Sequence, residues 1–218
     1  MANQRHRLLL IGGGVAETSW IQHFAASSYV VAVDSGLAAC LAAGIMPDAV
    51  IGDLDSADET QLATARAQQV AIHQIGEQDT TDFEKALTYF SEGDVIALGF
   101  LGKRFDHALA SIHVLARYPD RSILLLSQYD AMMLKKGSCR LSVPSDSRLS
   151  IWPVQPVEFV RSEGLFWPLD GLKMAPGHQI GTSNQTHADM QHIIPKQADD
   201  IYLVMVDASH WARLLMSD

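Results

Sequence analysis

The rhythm of apolar positions changes a little past the middle of the chain. In the first part, short apolar runs alternate with stretches of helical period. Residues 8–11, 29–33, 49–51, 70–75, 95–98 and 123–126 read as buried strands, each a brief apolar run closed by glycine, acidic or turn residues. Between them, Leu37, Leu41 and Ile45 predict a helix over residues 35–45. Phe83, Ala86, Leu87 and Phe90 fall at i, i+3, i+4 and i+7, and Phe105, Leu109, Ile112 and Ala116 mark a further helix. Ser56-x-x-Glu59 and Thr81-x-x-Glu84 have the form of capping boxes, which satisfy free N–H groups at a helix start. This alternation predicts an α/β fold with a parallel sheet covered by helices on both faces.

Beyond Gln128 no long helical period remains. Short β-like segments follow over residues 131–135, 139–143, 149–153, 157–161, 165–167, 190–194 and 201–206. Turn signals such as Lys136-Gly137, Pro144-Ser145-Asp146 and Ala175-Pro176-Gly177 separate them. They predict a small all-β sandwich of roughly seven or eight strands. The expected organisation is an α/β domain over 1–128 followed by a β-sandwich domain over 129–218.

Composition agrees with a packed protein. Of 218 residues, 48% are hydrophobic and 19% charged, which excludes a mainly disordered chain. Net charge is −9, and its distribution matters more than its size. Between Asp34 and Glu84 there are ten acidic residues and one basic residue, Arg66, so this stretch carries the whole excess. Such a chain repels phosphate backbones, which argues against non-specific nucleic-acid binding. It has no polybasic anchor for a membrane surface and no run near the roughly 20 apolar residues of a membrane helix. The basic start at Gln4-Arg5-His6-Arg7 precedes an apolar run that Gly12-Gly13-Gly14 and Glu17 interrupt, so a first strand is expected there and not a signal segment. Cys40 and Cys139 lie far apart without metal-ligand spacing, which fits a reducing, cytoplasmic setting.

In an open parallel sheet, ligands sit beyond the carboxyl ends of the strands. Asp34 follows the second expected strand, and Asp53 and Asp55 follow the third. At i and i+2 in extended chain, the latter two would point the same way. Asp79 and Asp82 lie in the turn after the fourth. Each alone could be a helix cap or a solvated loop acid. Together they repel one another and call for a cation or for raised pKa values. Mg²⁺ is the expected ion, a hard cation that prefers oxygen ligands and is commonly shared with phosphates. Gly12-x-Gly14 lacks the third glycine of a dinucleotide fingerprint and has Glu17 in its place, which excludes a standard NAD site; no P-loop motif is present. The stretch from Gly99 to His107 sets two glycines, Lys103, Arg104, Asp106 and His107 at a helix start. Free N–H groups and cations there suit phosphate, although Asp106 could simply be an N-cap. Taken as residues alone, Trp167 reads as sandwich core and Ser183-Asn184 as a turn.

The ordered blocks Asp34-Ser35-Gly36, Pro47-Asp48, Gly52-Asp53-Leu54-Asp55-Ser56, Gln78-Asp79-Thr80-Thr81-Asp82, Gly102-Lys103-Arg104-Phe105-Asp106-His107, Gly164-Leu165-Phe166-Trp167-Pro168-Leu169 and Gly181-Thr182-Ser183-Asn184 resemble the thiamine pyrophosphokinase family. The resemblance implies a Rossmann-like domain and a β-sandwich domain. It also implies transfer of a pyrophosphoryl group from ATP to the hydroxyl of thiamine, and a homodimer with thiamine between subunits. By the same resemblance, Asp53, Asp55 and Asp79 would hold Mg²⁺ with ATP, supported by Asp34 and Asp82. Lys103, Arg104 and His107 would serve the nucleotide, and Asp82 or Asp106 would orient the hydroxyl. Trp167 would stack on thiamine while Ser183 and Asn184 bond its aminopyrimidine. A metal-dependent phosphohydrolase and a non-catalytic small-molecule sensor are the alternative readings of the same residues.

Overall fold

A computed structural model describes residues 7–55 and 57–217. The chain divides into two compact units, Met1–Val114 with Leu125–Gln128, and Leu115–Leu124 with Tyr129–Asp218.

The first unit is built on β1 (Arg7–Ile11), α1 (Thr18–Ala25), β2 (Tyr29–Val33), α2 (Gly36–Ala42), β3 (Ala49–Gly52), α3 (Glu59–Ala67), β4 (Ala71–Gln74), α4 (Asp82–Tyr89) and β5 (Asp94–Leu98). Five strands lie in the order β5-β1-β2-β3-β4, and every neighbouring pair is parallel. The central strands are buried along almost their whole length, as continuous apolar runs in a sheet covered on both faces must be. α5 (Phe105–Arg117) and β6 (Ile123–Leu126) complete the α/β part of the chain.

Local chemistry sets the helix ends. α2 stops earlier than the expected residue 45. Gly44 adopts φ +71°, its N–H donates to the Leu41 carbonyl at 3.0 Å, and the Ile45 N–H reaches Cys40 at 2.9 Å. These paired bonds form a Schellman stop, in which glycine supplies the left-handed residue. α4 is capped as expected, with Thr81 Oγ1 accepting the Glu84 N–H at 3.2 Å. The cap of α3 is Asp58, whose Oδ1 accepts the Gln61 N–H at 3.1 Å; this corrects the expected Ser56–Glu59 box, and Ser56 itself lies outside the described residues. α1 is an element the apolar rhythm did not reveal. Its turns are held by Ile21 and Phe24, both buried, and by stacking of Trp20 on Phe24 at 5.7 Å.

The second unit has two antiparallel sheets. One runs β12 (Gly181–Gln185), β9 (Arg148–Pro153), β14 (Ile201–Asp207), β7 (Asp130–Lys136). The other runs β11 (Lys173–Met174), β10 (Val157–Glu163), β13 (Gln191–Pro195), β8 (Cys139–Leu141). The sheets meet through Phe159 of β10 and Tyr202 of β14, both fully buried, with ring centroids 5.2 Å apart and edge-to-face. Tyr202 keeps its hydroxyl satisfied by donating to the Gly137 carbonyl at 2.9 Å. A short helix α6 (Trp211–Leu215) closes the unit.

Three expectations need correction here. Residues 165–167 form no strand; Leu165 makes one isolated bridge to Thr186. Trp167 is no core residue, being 54% exposed. Ser183 and Asn184 lie on strand β12, where the register shifts against β9 and Ser183 takes φ +60°.

The start of α2 presses against the end of β1 so closely that a Cβ on Gly36 would lie 1.8 Å from the Ile11 carbonyl oxygen. Gly36→Ala should therefore force the backbone apart and lower stability by about 1–3 kcal/mol, the usual range for overpacking. Chemical denaturation of the two proteins checks this, and equal midpoints would refute the close approach.

Candidate active site

The acidic residues converge because of the backbone at two strand ends. Asp34 directly follows β2 and sits at φ +48°, its N–H donating to the Ile51 carbonyl at 2.8 Å. Gly52, at the end of β3, has φ +153°, and a Cβ there would come within 3.1 Å of Asp34 Cβ. The chain then turns. Leu54 has φ +65°, and the Asp55 N–H folds back to Asp53 Oδ1 at 3.3 Å. The extended i, i+2 geometry expected for Asp53 and Asp55 is thus replaced by a turn, which brings them together with Asp34. One carboxylate oxygen from each of Asp34, Asp53 and Asp55 lies within 4.8 Å of the others.

The surroundings treat these three differently. Asp34 Oδ1 is buried and has no hydrogen-bond partner. Burial pushes its carboxyl above the ordinary range; the Ser35 N–H opposes this, and the charges of Asp82, Asp53 and Asp55 add to it. For Asp53, burial also acts upward. It is outweighed by the Asp55 N–H, the Gln78 amide, a side-chain hydrogen bond with Asp55 and the Lys85 ammonium, which together hold its carboxyl below the ordinary range. Gln78 Nε2 donates to Asp53 Oδ2 at 3.2 Å, and Gln74 Nε2 to the Asp53 carbonyl at 3.0 Å. Asp82 Oδ1 accepts the Asp53 N–H at 3.3 Å and Lys85 Nζ at 3.1 Å.

Asp34, Asp53, Gln78, Asp82 and Lys85 line a cavity of about 540 Å³ within the first unit, a size that suits a small ligand. Gly12, Gly13 and Gly14 form one wall. A Cβ on Gly13 would overlap Ser35 Oγ and one on Gly14 would lie 2.4 Å from the Gly99 carbonyl, so this wall is bare backbone. Phe83 and Phe100, rings 4.4 Å apart, supply an apolar patch. Lys103, Arg104, Asp106 and His107 also line the cavity. Lys103 Nζ donates to the Gly13 carbonyl at 2.8 Å. Arg104 pairs with Asp106 through Nε–Oδ1 at 3.1 Å and Nη2–Oδ2 at 2.6 Å, and this pairing lowers the Asp106 pKa. Asp106 therefore serves neither as helix cap nor as a member of the carboxylate cluster.

Asp79 also stands apart from that cluster. It belongs to a loop organised by Glu77, which accepts the N–H groups of Asp79 and Thr80 at 2.8 and 3.2 Å and the Thr80 hydroxyl. In the second unit, Asn184 is buried and committed to backbone: Oδ1 accepts the Trp167 N–H at 3.2 Å and Nδ2 donates to the Trp167 carbonyl at 2.7 Å. It presents Trp167 to solvent, with Phe166 packed edge-on at 4.7 Å. Ser183 is exposed, and its N–H donates to Ser150 Oγ at 3.0 Å.

A family model described as the thiamin pyrophosphokinase catalytic domain matches residues 21–125, and one described as the thiamin pyrophosphokinase vitamin B1 binding domain matches residues 138–195. The chain belongs to the thiamine pyrophosphokinase family. Thiamine pyrophosphokinase 2 of Arabidopsis thaliana is 33% identical over 155 residues, which cover 63% of this chain and 58% of that protein. The Bacillus subtilis (strain 168) thiamine pyrophosphokinase is 28% identical over 164 residues, covering 71% and 77%. The chain thus spans under two thirds of the plant relatives it matches. Yeast thiamin pyrophosphokinase shares the fold with a TM-score of 0.82 over 94% of this chain and 87% of that one, at 17% identity. The Bacillus subtilis structure gives 0.80 over 92% and 98%, at 20% identity.

For this member of the family, the residues present fit a divalent cation. All three grouped donors are carboxylate oxygens, and Asp34 has one oxygen, Oδ1, buried without a partner. Motif and periodicity mark Gln78 only as part of a block and Phe83 only as a helix position, and they single out neither Lys85 nor Phe100 for the site. Lys85 carried a signal: it lies among the buried residues of α4 with Phe83, Ala86 and Leu87, where an ammonium persists only beside a partner. Asp34→Asn should relieve the repulsion of a half-buried carboxylate by Asp53, Asp55 and Asp82 and leave the metal-free protein more stable by about 1 kcal/mol. The same change should shrink the rise in Tm produced by Mg²⁺. Thermal melts with and without Mg²⁺ check both, and an undiminished rise would refute Asp34 as a ligand.

Proposed function

We propose that this chain transfers a pyrophosphoryl group from ATP to the hydroxyl of thiamine, yielding thiamine diphosphate and AMP. The observation that carries the proposal is the buried, unpartnered Asp34 oxygen beside Asp53 and Asp55, in a cavity that Asp34 and Asp53 line together with glycine backbone, Lys103 and Arg104. Phosphoryl transfer asks a protein mainly for positioning and charge neutralisation. When bound, Mg²⁺ would supply the positive charge that offsets the transferring phosphates. The chain itself supplies the rest. Asp34, Asp53 and Asp55 would hold the cation, and Asp79, next to Gln78, would complete the set. The bare wall of Gly12–Gly14 lets phosphates approach the backbone. Lys103 and Arg104 meet the phosphate charge, with Arg104 exchanging its Asp106 partner for a phosphate oxygen. His107 and Asp82 complete the nucleotide side.

In this reading residues 1–128 form the catalytic domain and 129–218 the thiamine-binding domain. Asn184 locks the backbone of Trp167, and the exposed indole stacks on thiamine, whose cationic ring favours an aromatic face. Ser183 bonds the aminopyrimidine. The working form is a cytoplasmic homodimer with thiamine at the subunit interface.

Incubation with ATP, Mg²⁺ and thiamine should give thiamine diphosphate and AMP in equal amounts. Asp53→Asn should lower kcat by about a hundredfold or more. Thiamine monophosphate with ADP would contradict the reaction. Phosphate release independent of thiamine would identify a phosphohydrolase, and ligand binding untouched by Asp53→Asn/Asp55→Asn, without turnover, a sensor.

A further inference from the structure

The carboxylate cluster is accompanied by one deeply buried cation, and the proposed reaction leaves it without a task. Lys85 lies on α4, three residues after Asp82, with its side chain only 3% exposed. A buried ammonium is costly unless paired. Its partner is Asp82 Oδ1 at 3.1 Å, the same oxygen that accepts the Asp53 N–H. One carboxylate oxygen therefore joins the first turn of α4 to the end of β3, and Lys85 holds it there. Lys85 also lines the cavity and acts electrostatically on Asp53 and Glu77.

We propose that Lys85 is a positioning residue that acts as a permanent counter-cation, making the free protein a weak site for divalent metal so that the ion enters together with the nucleotide. The inference rests on the assignment of Asp34, Asp53 and Asp55 to a divalent ion. Its logic is a balance of charge. Without Lys85, Asp34, Asp53, Asp55 and Asp82 would put four carboxylates in one region, and a divalent ion would bind them before any substrate arrived. With Lys85 in place, Asp82 is neutralised and anchored, and the ammonium repels an incoming dication. The phosphates of a bound nucleotide then supply the further negative charge that makes the dication stable. An ion that arrives with ATP is already on the phosphates it must neutralise, whereas an ion held tightly beforehand leaves those phosphates to displace its water.

The test uses Mn²⁺ as probe, followed by electron paramagnetic resonance on the whole chain, with and without a non-hydrolysable ATP analogue. Wild-type protein should bind Mn²⁺ weakly alone and tightly with the analogue. In Lys85→Met, which keeps the apolar stem, nucleotide-free Mn²⁺ binding should tighten about tenfold or more, since a unit charge is removed a few ångströms from the site. Lys85→Arg keeps the charge and should stay near wild type. Asp82→Asn/Lys85→Met removes both members of the pair and should return to within about threefold of wild type, because the net charge is restored. Circular dichroism confirms that each variant is folded, and the double variant avoids leaving Asp82 unpaired should Lys85→Met fail to fold. Unchanged or weaker Mn²⁺ binding in Lys85→Met would overturn the proposal. So would a Lys85→Arg protein that behaves like Lys85→Met, or a double variant that stays far from wild type. Absence of Mn²⁺ binding in every protein, with nucleotide present, would instead refute the metal assignment beneath it.

Discussion

Three carboxylates sit where the backbone gives them little room to separate. Asp34 is fixed by its N–H bond to Ile51, and Gly52 lets the end of β3 pass within van der Waals distance of it. The turn through Leu54 returns Asp55 toward Asp53. Their repulsion must be offset locally, and the structure does so unevenly. Asp53 receives hydrogen bonds from Gln78 and from the backbone, while one oxygen of Asp34 receives none. A cluster built with one buried oxygen open is suited to an ion, and less so to a solvated edge. In the proposed reaction the glycine wall, Lys103 and Arg104 would each favour phosphate beside that ion.

Much of this was legible in the sequence. Parallel strands buried on both faces appear as unbroken apolar runs, so β1, β2, β3 and β5 could be placed from composition alone. The acidic residues after those strands could be assigned to one edge by the rule for parallel sheets. The way they meet could not. An extended Asp53–Asp55 pair and a turned one have the same sequence, and the choice is made by Leu54 in the left-handed region. The separate position of Asp79 depends on Glu77 capping its loop, a side-chain to backbone bond that no periodicity records. Lys85 is a similar case. The acidic stretch from Asp34 to Glu84 contains no lysine, and the one that pairs with Asp82 stands one residue further on.

The β-sandwich was less legible because its edge strands are short and polar. β11 has two residues, and β12 reads Gly-Thr-Ser-Asn-Gln, a composition typical of turns. Its register shift and the positive φ at Ser183 allow Asn184 to turn inward and clamp Trp167. The tryptophan that hydrophobicity assigns to the core is thereby held at the surface, where an aromatic face is available to a ligand. One family-model match lies on the α/β part and the other on the sandwich.

The central claim is that Asp34, Asp53 and Asp55 hold a divalent ion beside the phosphates of a nucleotide. A crystal structure with Mn²⁺ and a non-hydrolysable ATP analogue, with anomalous scattering recorded for the metal, tests it most directly. An anomalous peak about 2.1 Å from carboxylate oxygens of these three residues and from phosphate oxygens is the predicted result. A peak bound only to the nucleotide, or to carboxylates elsewhere on the chain, would contradict the account.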